Sequence, residues 1–132
     1  MIQTLILPQI LRDQIIREAR TAHPRECCGL IEGIYKEEAA HAAACHPIRN
    51  LAQSNDRFEL NPAQHIQFLK ALRGTGREII GCYHSHPNGR AEPSPRDLEG
   101  ATGENFLWLI AADNTLSAFV HAASAFRPVH LA

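Results

Sequence analysis

The sequence predicts a mixed α/β (α+β) fold in which helices cover the faces of one sheet. Short apolar runs typical of buried strands alternate along the chain with amphipathic helical segments. The length of 132 residues suits one domain with its own core, and no repeat or linker interrupts it. We therefore expect a single domain over residues 1–132.

The first two elements are a short strand and an amphipathic helix. The strand is predicted at Ile2–Leu7, and the helix begins at Pro8 and ends near Thr21. It ends before Pro24 because the residue preceding a proline avoids the helical region. The apolar stripe of the helix follows the i, i+4, i+8 spacing: Leu11, Ile15 and Ala19.

The same patterns predict the remaining elements. Gly29, inside the second strand, indicates a bulge or a close contact. The second helix has four predicted apolar positions: His65, Phe68, Leu69 and Leu72. The elements after the first helix are strands at Cys27–Ile31 and Ala39–Cys45, a loop at His46–Asn55, a strand at Arg57–Leu60, a helix from Asn61 to Gly74, a strand at Ile79–Tyr83, a helix after Ser94, and strands at Asn105–Ala112, Leu116–His121 and Phe126–Leu131.

Composition excludes several classes of function. The formal net charge of −1 gives no electrostatic case for nucleic acid binding. No apolar run approaches the ~20 residues of a membrane-spanning helix, and the N-terminus lacks the pattern of a signal peptide. The cysteines form no C-x-x-C pair, which favours a cytoplasmic protein with reduced thiols. Cys82 is interpreted as a buried strand residue rather than a nucleophile.

The most informative stretch lies at the end of the Ile79–Tyr83 strand. His84 and His86 are two residues apart, so their side chains point to the same side of an extended chain. Pro87 ends the strand because it cannot donate to a sheet ladder. From this spacing alone, metal ligation and ordinary packing are about equally favoured for the two histidines.

Ser94 and Asp97 have a structural explanation of their own. Ser94-Pro95-Arg96-Asp97 has the form of a capping box at the start of a helix, and this interpretation is favoured when the four residues are taken alone. Asp97 would nevertheless be the third protein ligand that a catalytic zinc site requires beside two histidines. Glu26, taken alone, is best explained as a solvated residue before a strand.

Taken together, these residues resemble the JAMM (MPN+) family of zinc metalloproteases. The family pattern is a distant Glu, then His, Ser or Thr, His and Pro, six residues, Ser, two residues and Asp. Here Glu26 precedes Cys-Cys-Gly-Leu, and His84-Ser85-His86-Pro87 is followed at the family spacing by Ser94 and Asp97. The resemblance covers almost the whole chain and implies a cytidine-deaminase-like domain with a mixed, curved central sheet.

The resemblance also implies a role for each residue of the motif. His84, His86 and Asp97 would bind one Zn²⁺ per chain. Glu26 would act as the general base and pass its proton to the leaving amine, and Ser94 would donate a hydrogen bond to the oxyanion. The chain would thus be a hydrolase, a metallopeptidase with Glu26 and Ser94 as its catalytic residues.

The length of the chain resembles that of the compact prokaryotic members of the family. These are expected to act on small ubiquitin-like sulfur-carrier proteins that end in Gly-Gly, by removing a residue or a short extension after that Gly-Gly. The loop Asn88–Pro93 and the segment Ile48–Phe58 are candidate walls for a groove that would hold such a tail. The sequence leaves open which carrier is cleaved and whether the chain forms a homodimer.

Two other classes of function are alternatives to this hypothesis. A nucleobase deaminase would need a His-x-Glu motif and a later Pro-Cys-x-x-Cys, and the chain has neither. A non-catalytic MPN module that binds metal, or keeps only the fold, within a larger assembly would need no complete catalytic set. The chain keeps the complete set of motif residues, which argues against a non-catalytic module but leaves it as an alternative.

Overall fold

The computed structural model describes residues 1–52, 61–101 and 103–132, and the predicted strand Arg57–Leu60 lies outside them. The described residues form seven strands and three helices, which confirms the mixed class. In chain order the elements are β1 (Thr4–Ile6), α1 (Gln9–Ala22), β2 (Cys28–Lys36), β3 (Ala39–Ile48), α2 (Pro62–Ala71), β4 (Glu78–Ser85), α3 (Pro95–Gly100), β5 (Phe106–Ala112), β6 (Thr115–Ala122) and β7 (Ala125–Leu131).

The strands form one mixed sheet that closes into a barrel in the order β1-β3-β2-β4-β5-β6-β7. Closure depends on β1, which pairs in parallel with β3 on one side and with β7 on the other. The central strand β4 lies between β2, to which it is antiparallel, and β5, to which it is parallel. The sequence predicts one sheet, but closure depends on pairing between the two ends of the chain, which no local pattern reports.

Helices α1 and α2 cover different faces of this sheet, as predicted. Leu11 and Ile15 of α1 pack in one buried cluster with Leu107 and Leu109 of β5. Trp108, between those two leucines, belongs to a second cluster. Because neighbouring strand residues point to opposite faces, the two clusters lie on the two sides of β5. Partly buried α2 residues pack against the second cluster: Phe68 and Leu72.

Two predictions about the surface of the fold are wrong. Leu69 is 47 % exposed, because α2 lies on the surface and only one edge of it meets the sheet. Strand β3 continues to Ile48, where a loop is predicted from His46 onward. The reason is the antiparallel pairing of Ile48 with Cys28, which gives this segment backbone partners that its own residues do not reveal. None of the helices in the described residues has both the length and the apolar character needed to cross a membrane.

Gly29 is a position where the fold needs a residue without a side chain. A Cβ atom at Gly29 would lie 2.2–2.4 Å from the ring and hydroxyl atoms of Tyr83, which is fully buried on the neighbouring strand. The Tyr83 hydroxyl donates to Glu18 Oε1 on α1 over 2.7 Å, so the ring is held at both ends. The predicted close contact at Gly29 is confirmed, and it joins β2, β4 and α1.

We predict that Gly29→Ala lowers the free energy of unfolding by about 2 kcal/mol or more. The added methyl group collides with a ring that cannot move without breaking its hydrogen bond to Glu18, and overpacking of this kind typically costs 1–3 kcal/mol. Urea denaturation measures the change. Gly100→Ala is the matched control, since no atom lies within 4 Å of its Cβ position, and a change within about 0.5 kcal/mol is expected there. Equal stabilities for the two variants would contradict the packing argument.

Candidate metal centre

His84 and His86 converge at the end of β4. Their Nε2 atoms are 2.9 Å apart, and both rings are buried, with exposed fractions of 0 % and 5 %. His84 also packs edge-on against Trp108, with ring centroids 5.5 Å apart. Strand β4 ends at Ser85, one residue before His86 and two before Pro87. The i, i+2 spacing therefore brings the two imidazoles together as the sequence predicts.

Asp97 brings a carboxylate to the same point from the first turn of α3. Its Oδ1 lies 3.1 Å from His84 Nε2, and its Oδ2 lies 3.0 Å from His86 Nε2. The capping box also forms: the Ser94 N–H donates to Asp97 Oδ2 over 2.8 Å, and the Asp97 N–H donates to Ser94 Oγ over 3.1 Å. The two interpretations of Asp97 are thus compatible, since one carboxylate caps the helix and faces both imidazoles.

These three side chains fit the requirements of a zinc site. Zinc in proteins takes histidine nitrogens and carboxylate oxygens at about 2.0–2.2 Å, so neighbouring ligand atoms around a tetrahedral ion lie roughly 3.3–3.6 Å apart. The three donor groups here are separated by 2.9–3.1 Å, close to that spacing. They are also buried together, which is expensive for polar groups that serve no common partner.

The hydrogen bond at the Nδ1 atom of His86 also suits metal binding at its Nε2 atom. Its Nδ1 lies 2.8 Å from the backbone carbonyl oxygen of Arg90, in the loop between β4 and α3. A carbonyl oxygen only accepts, so Nδ1 carries a proton. Nε2 then donates to Asp97 when the ring is protonated, and it offers a lone pair to a metal when the ring is neutral. Metal-bound histidines are typically oriented by such a bond to a carbonyl or a carboxylate.

The electrostatics of the cluster keep Asp97 ionised. Burial would raise the pKa of Asp97, but hydrogen bonds with the imidazoles of His84 and His86 lower it well below its usual range. Burial dominates at His84 and lowers its pKa. At His86, burial is outweighed by the bonds to Asp97 and to the Arg90 carbonyl, so the pKa is raised. A negative charge therefore lies between the two rings, where a cation would be favoured.

Glu26 lies beside the cluster although it comes from a distant part of the chain. It precedes β2, and the pairing of Cys28 with His84 places it next to the end of β4. A carboxylate oxygen of Glu26 and ring nitrogens of His84 and His86 all lie within 4.8 Å of one another, and Glu26 is only 3 % exposed. Its interpretation as a solvated strand end is wrong, because the pairing of β2 with β4 buries it.

Ser85 and Asn50 hold the backbone around Glu26 in place, and the sequence predicted a role for neither. Ser85 Oγ accepts a hydrogen bond from the Cys27 N–H over 2.8 Å, and the Ser85 N–H donates to the Cys27 carbonyl over 3.1 Å. Asn50 Nδ2 donates to the Glu26 carbonyl over 2.9 Å. Ser85 stands inside the His-Ser-His-Pro motif, so its position could have suggested a role. Asn50 lies in a predicted loop with no pattern around it.

Cys82, His46 and His121 have structural contacts of their own. Cys82 is a buried strand residue, and burial raises the pKa of its thiol. His46 pairs with Glu32 at 2.8 Å and stacks on Phe68, so it packs between β2 and α2. His121 belongs to no candidate metal cluster of the described residues, and its Nδ1 bonds the Gly103 carbonyl over 2.7 Å. Residues 53–58 of the candidate groove wall lie outside the described residues.

Comparison with known proteins identifies the family of the chain. Residues 8–124 match the family described as prokaryotic homologues of the JAB domain. The chain belongs to this family. A solution structure of a protein from Desulfitobacterium hafniense superposes on this JAB domain with a TM-score of 0.87 and 25 % identity, over 97 % of this chain and 91 % of the other. The predicted family and the predicted enzyme class, a JAB-family hydrolase, are confirmed.

Several relatives of this JAB domain are named for peptidase activities. A desampylase of Haloferax volcanii is 32 % identical over 92 % of this chain and 90 % of its own length. A probable TtuB-protein conjugate cleaving protease of Thermus thermophilus is 35 % identical over 68 % of this chain and 55 % of its own. A CysO-cysteine peptidase of Mycobacterium tuberculosis is 26 % identical over 76 % and 68 %.

We predict that Ser85→Ala destabilises this JAB domain by about 1–3 kcal/mol, as measured by urea denaturation. The substitution leaves the buried Cys27 N–H without its acceptor, and an unsatisfied buried donor costs that amount. Ser85→Thr is the matched control because it keeps a γ-hydroxyl, and Ser or Thr stands at this position in the family motif. If both variants were equally destabilised, the loss would come from packing rather than from the hydrogen bond.

Proposed function

We propose that the chain is a zinc-dependent peptidase or isopeptidase that cleaves after the C-terminal Gly-Gly of a small ubiquitin-like sulfur-carrier protein. The observation that carries this proposal is the meeting of His84, His86 and Asp97 beside the buried carboxylate of Glu26 in a JAB domain. The names of the relatives, a conjugate-cleaving protease and a carrier-cysteine peptidase among them, support the same substrate class.

In this proposal His84, His86 and Asp97 hold one zinc ion per chain. When bound, zinc supplies Lewis acidity, which makes water nucleophilic near neutral pH and polarises the scissile carbonyl. Asp97 is suited to ligation because its low pKa keeps it anionic, and His86 is suited because the Arg90 carbonyl directs its Nε2 lone pair inward. The cap of α3 holds Asp97 in this orientation.

Glu26 is the proposed general base. It takes one proton from the attacking water as the new C–O bond forms, and it gives that proton to the nitrogen as the C–N bond breaks. The products are a carboxylic acid at the Gly-Gly terminus and an amine. A base must lie within hydrogen-bond reach of the water or one water away. The position of a Glu26 oxygen within 4.8 Å of the two imidazole nitrogens supports this role.

Ser94 is the proposed donor to the oxyanion. Its Oγ already accepts the Asp97 N–H over 3.1 Å, which fixes the oxygen in place. A hydroxyl that accepts one bond keeps its own proton for donation. Such a donor, aimed at the charge that develops on the carbonyl oxygen, typically contributes about 3 kcal/mol to the barrier reduction.

We predict that the purified chain retains about one zinc ion after dialysis and that His84→Ala loses it. Removing one of three protein ligands leaves a site with too few donors to retain the ion. Inductively coupled plasma mass spectrometry measures the metal content. His130→Ala, which changes an exposed histidine of β7, should keep the zinc of the unchanged chain. Retention of zinc by His84→Ala would place the metal elsewhere.

We predict that Glu26→Gln keeps zinc and loses turnover by roughly a hundredfold or more, the usual contribution of a general base. Glutamine keeps the shape of the side chain but cannot take a proton. Intact-mass spectrometry of Gly-Gly carriers extended at the C-terminus, with and without a chelator, measures cleavage. Glu78→Gln, at an exposed position on β4, is the control.

The same experiment tests the rival function, a non-catalytic scaffold. Turnover by the zinc-loaded chain that a chelator abolishes excludes the scaffold. Loss of zinc together with activity in Glu26→Gln would make Glu26 structural and would overturn its assignment as the base. No cleavage of any carrier by the zinc-loaded chain would favour the scaffold or a different peptide substrate.

A further inference from the structure

A cleft of about 470 Å³ lies next to Glu26, between α1, the start of β2 and the end of β3. Part of its lining is apolar and comes from Ala22, Cys27 and Ile48. Arginines from three separate segments also line it: Arg17, Arg25 and Arg49. Glu18 and the proposed base, Glu26, line it as well, so the cleft combines an apolar surface with three arginines and two glutamates.

Two of these arginines have no anionic partner in the described part of the chain. Arg25 donates to the backbone carbonyls of Asn50 and Ala52 and so has a structural role. Arg17 and Arg49 are exposed, and within residues 1–52, 61–101 and 103–132 no carboxylate oxygen lies within 4.0 Å of either guanidinium. Glu18, which lines the cleft, accepts hydrogen bonds at both carboxylate oxygens, from Tyr83 over 2.7 Å and from Gln14 over 2.8 Å.

The position of the cleft matches the direction in which the leaving group must lie. In the proposed reaction Glu26 returns a proton to the leaving nitrogen, so it must lie within hydrogen-bond reach of that nitrogen. The atoms attached to the nitrogen therefore lie near Glu26, and Glu26 also lines the cleft. A released amino acid carries a carboxylate two bonds from that nitrogen, and arginine binds carboxylates through two parallel hydrogen bonds.

We propose that this cleft binds the free α-carboxylate of the residue released by cleavage, with Arg17 and Arg49 as its counter-charges. The inference rests on the proposed function and narrows its substrate class. The preferred substrate is a Gly-Gly carrier extended by a single residue with a free carboxylate, and a lysine isopeptide within a protein is disfavoured because it brings no carboxylate to the cleft.

The test compares three substrates made from one ubiquitin-like carrier. The first ends in Gly-Gly-Ala with a free carboxylate, the second is its C-terminal amide, and the third joins the Gly-Gly to the side chain of N-acetyl-lysine amide. The zinc-loaded chain should show a kcat/KM about tenfold or more higher for the first, the range of one charge-assisted hydrogen bond. Arg17→Gln and Arg49→Gln should each reduce that preference by lowering only the rate on the free carboxylate.

The control is Arg73→Gln, which changes an exposed arginine after α2 that does not line the cleft. It should keep the preference of the unchanged chain. Equal rates on all three substrates would overturn the carboxylate site and leave the proposed function standing. A preference that survives in both Arg17→Gln and Arg49→Gln would also overturn it. No cleavage of any of the three would overturn the proposed function, and this inference with it.

Discussion

One carboxylate, that of Asp97, connects the helix start to the candidate metal centre. Its Oδ2 accepts the Ser94 N–H and lies 3.0 Å from His86, while its Oδ1 lies 3.1 Å from His84. The capping box therefore determines where this carboxylate lies, and hydrogen bonds with the two imidazoles keep it ionised. A longer or shorter connection between Pro87 and Ser94 would move the cap and the proposed ligand Asp97 together. This explains why a short, surface-lying helix of six residues is tied so closely to the chemistry.

The pairing of β2 with β4 brings Glu26 to the two histidines, which the sequence motif alone cannot do. Cys28 lies opposite His84, and the two hydrogen bonds between Cys27 and Ser85 extend that contact by one residue, so Glu26 is carried to the histidines. A slip of one residue would turn His84 and His86 to the other face of the sheet. Tyr83 makes such a slip costly, because its ring lies against Gly29 and its hydroxyl reaches α1.

Features governed by local chemistry could be predicted from the sequence, and features governed by distant pairing could not. The i, i+2 histidines, the capping box and the stripe of α1 depend on residues within a few positions of one another. The closure of the barrel joins β1 to β7 from opposite ends of the chain. The burial of Glu26 likewise depends on a strand more than fifty residues away. At these positions the local pattern indicates a surface residue or a strand edge, but pairing with a distant strand buries the residue or closes the edge.

The two buried carboxylates, Asp97 and Glu26, differ in their surroundings in a way that supports their proposed roles. Asp97 has both oxygens occupied, by two imidazoles and a backbone N–H, which favours a permanent negative charge and the role of a ligand. Glu26 approaches from the segment before β2, and Asn50 holds its backbone carbonyl. Its carboxylate lies within 4.8 Å of the ring nitrogens of the two proposed histidine ligands, which leaves it close to a water that would bind there. When two carboxylates in one site have different environments, one can remain ionised as a ligand or stabiliser while the other carries the proton. In the proposed reaction the general base must also lie close to the leaving amine. The residues of the cleft beside Glu26 would therefore determine which leaving groups the site accepts.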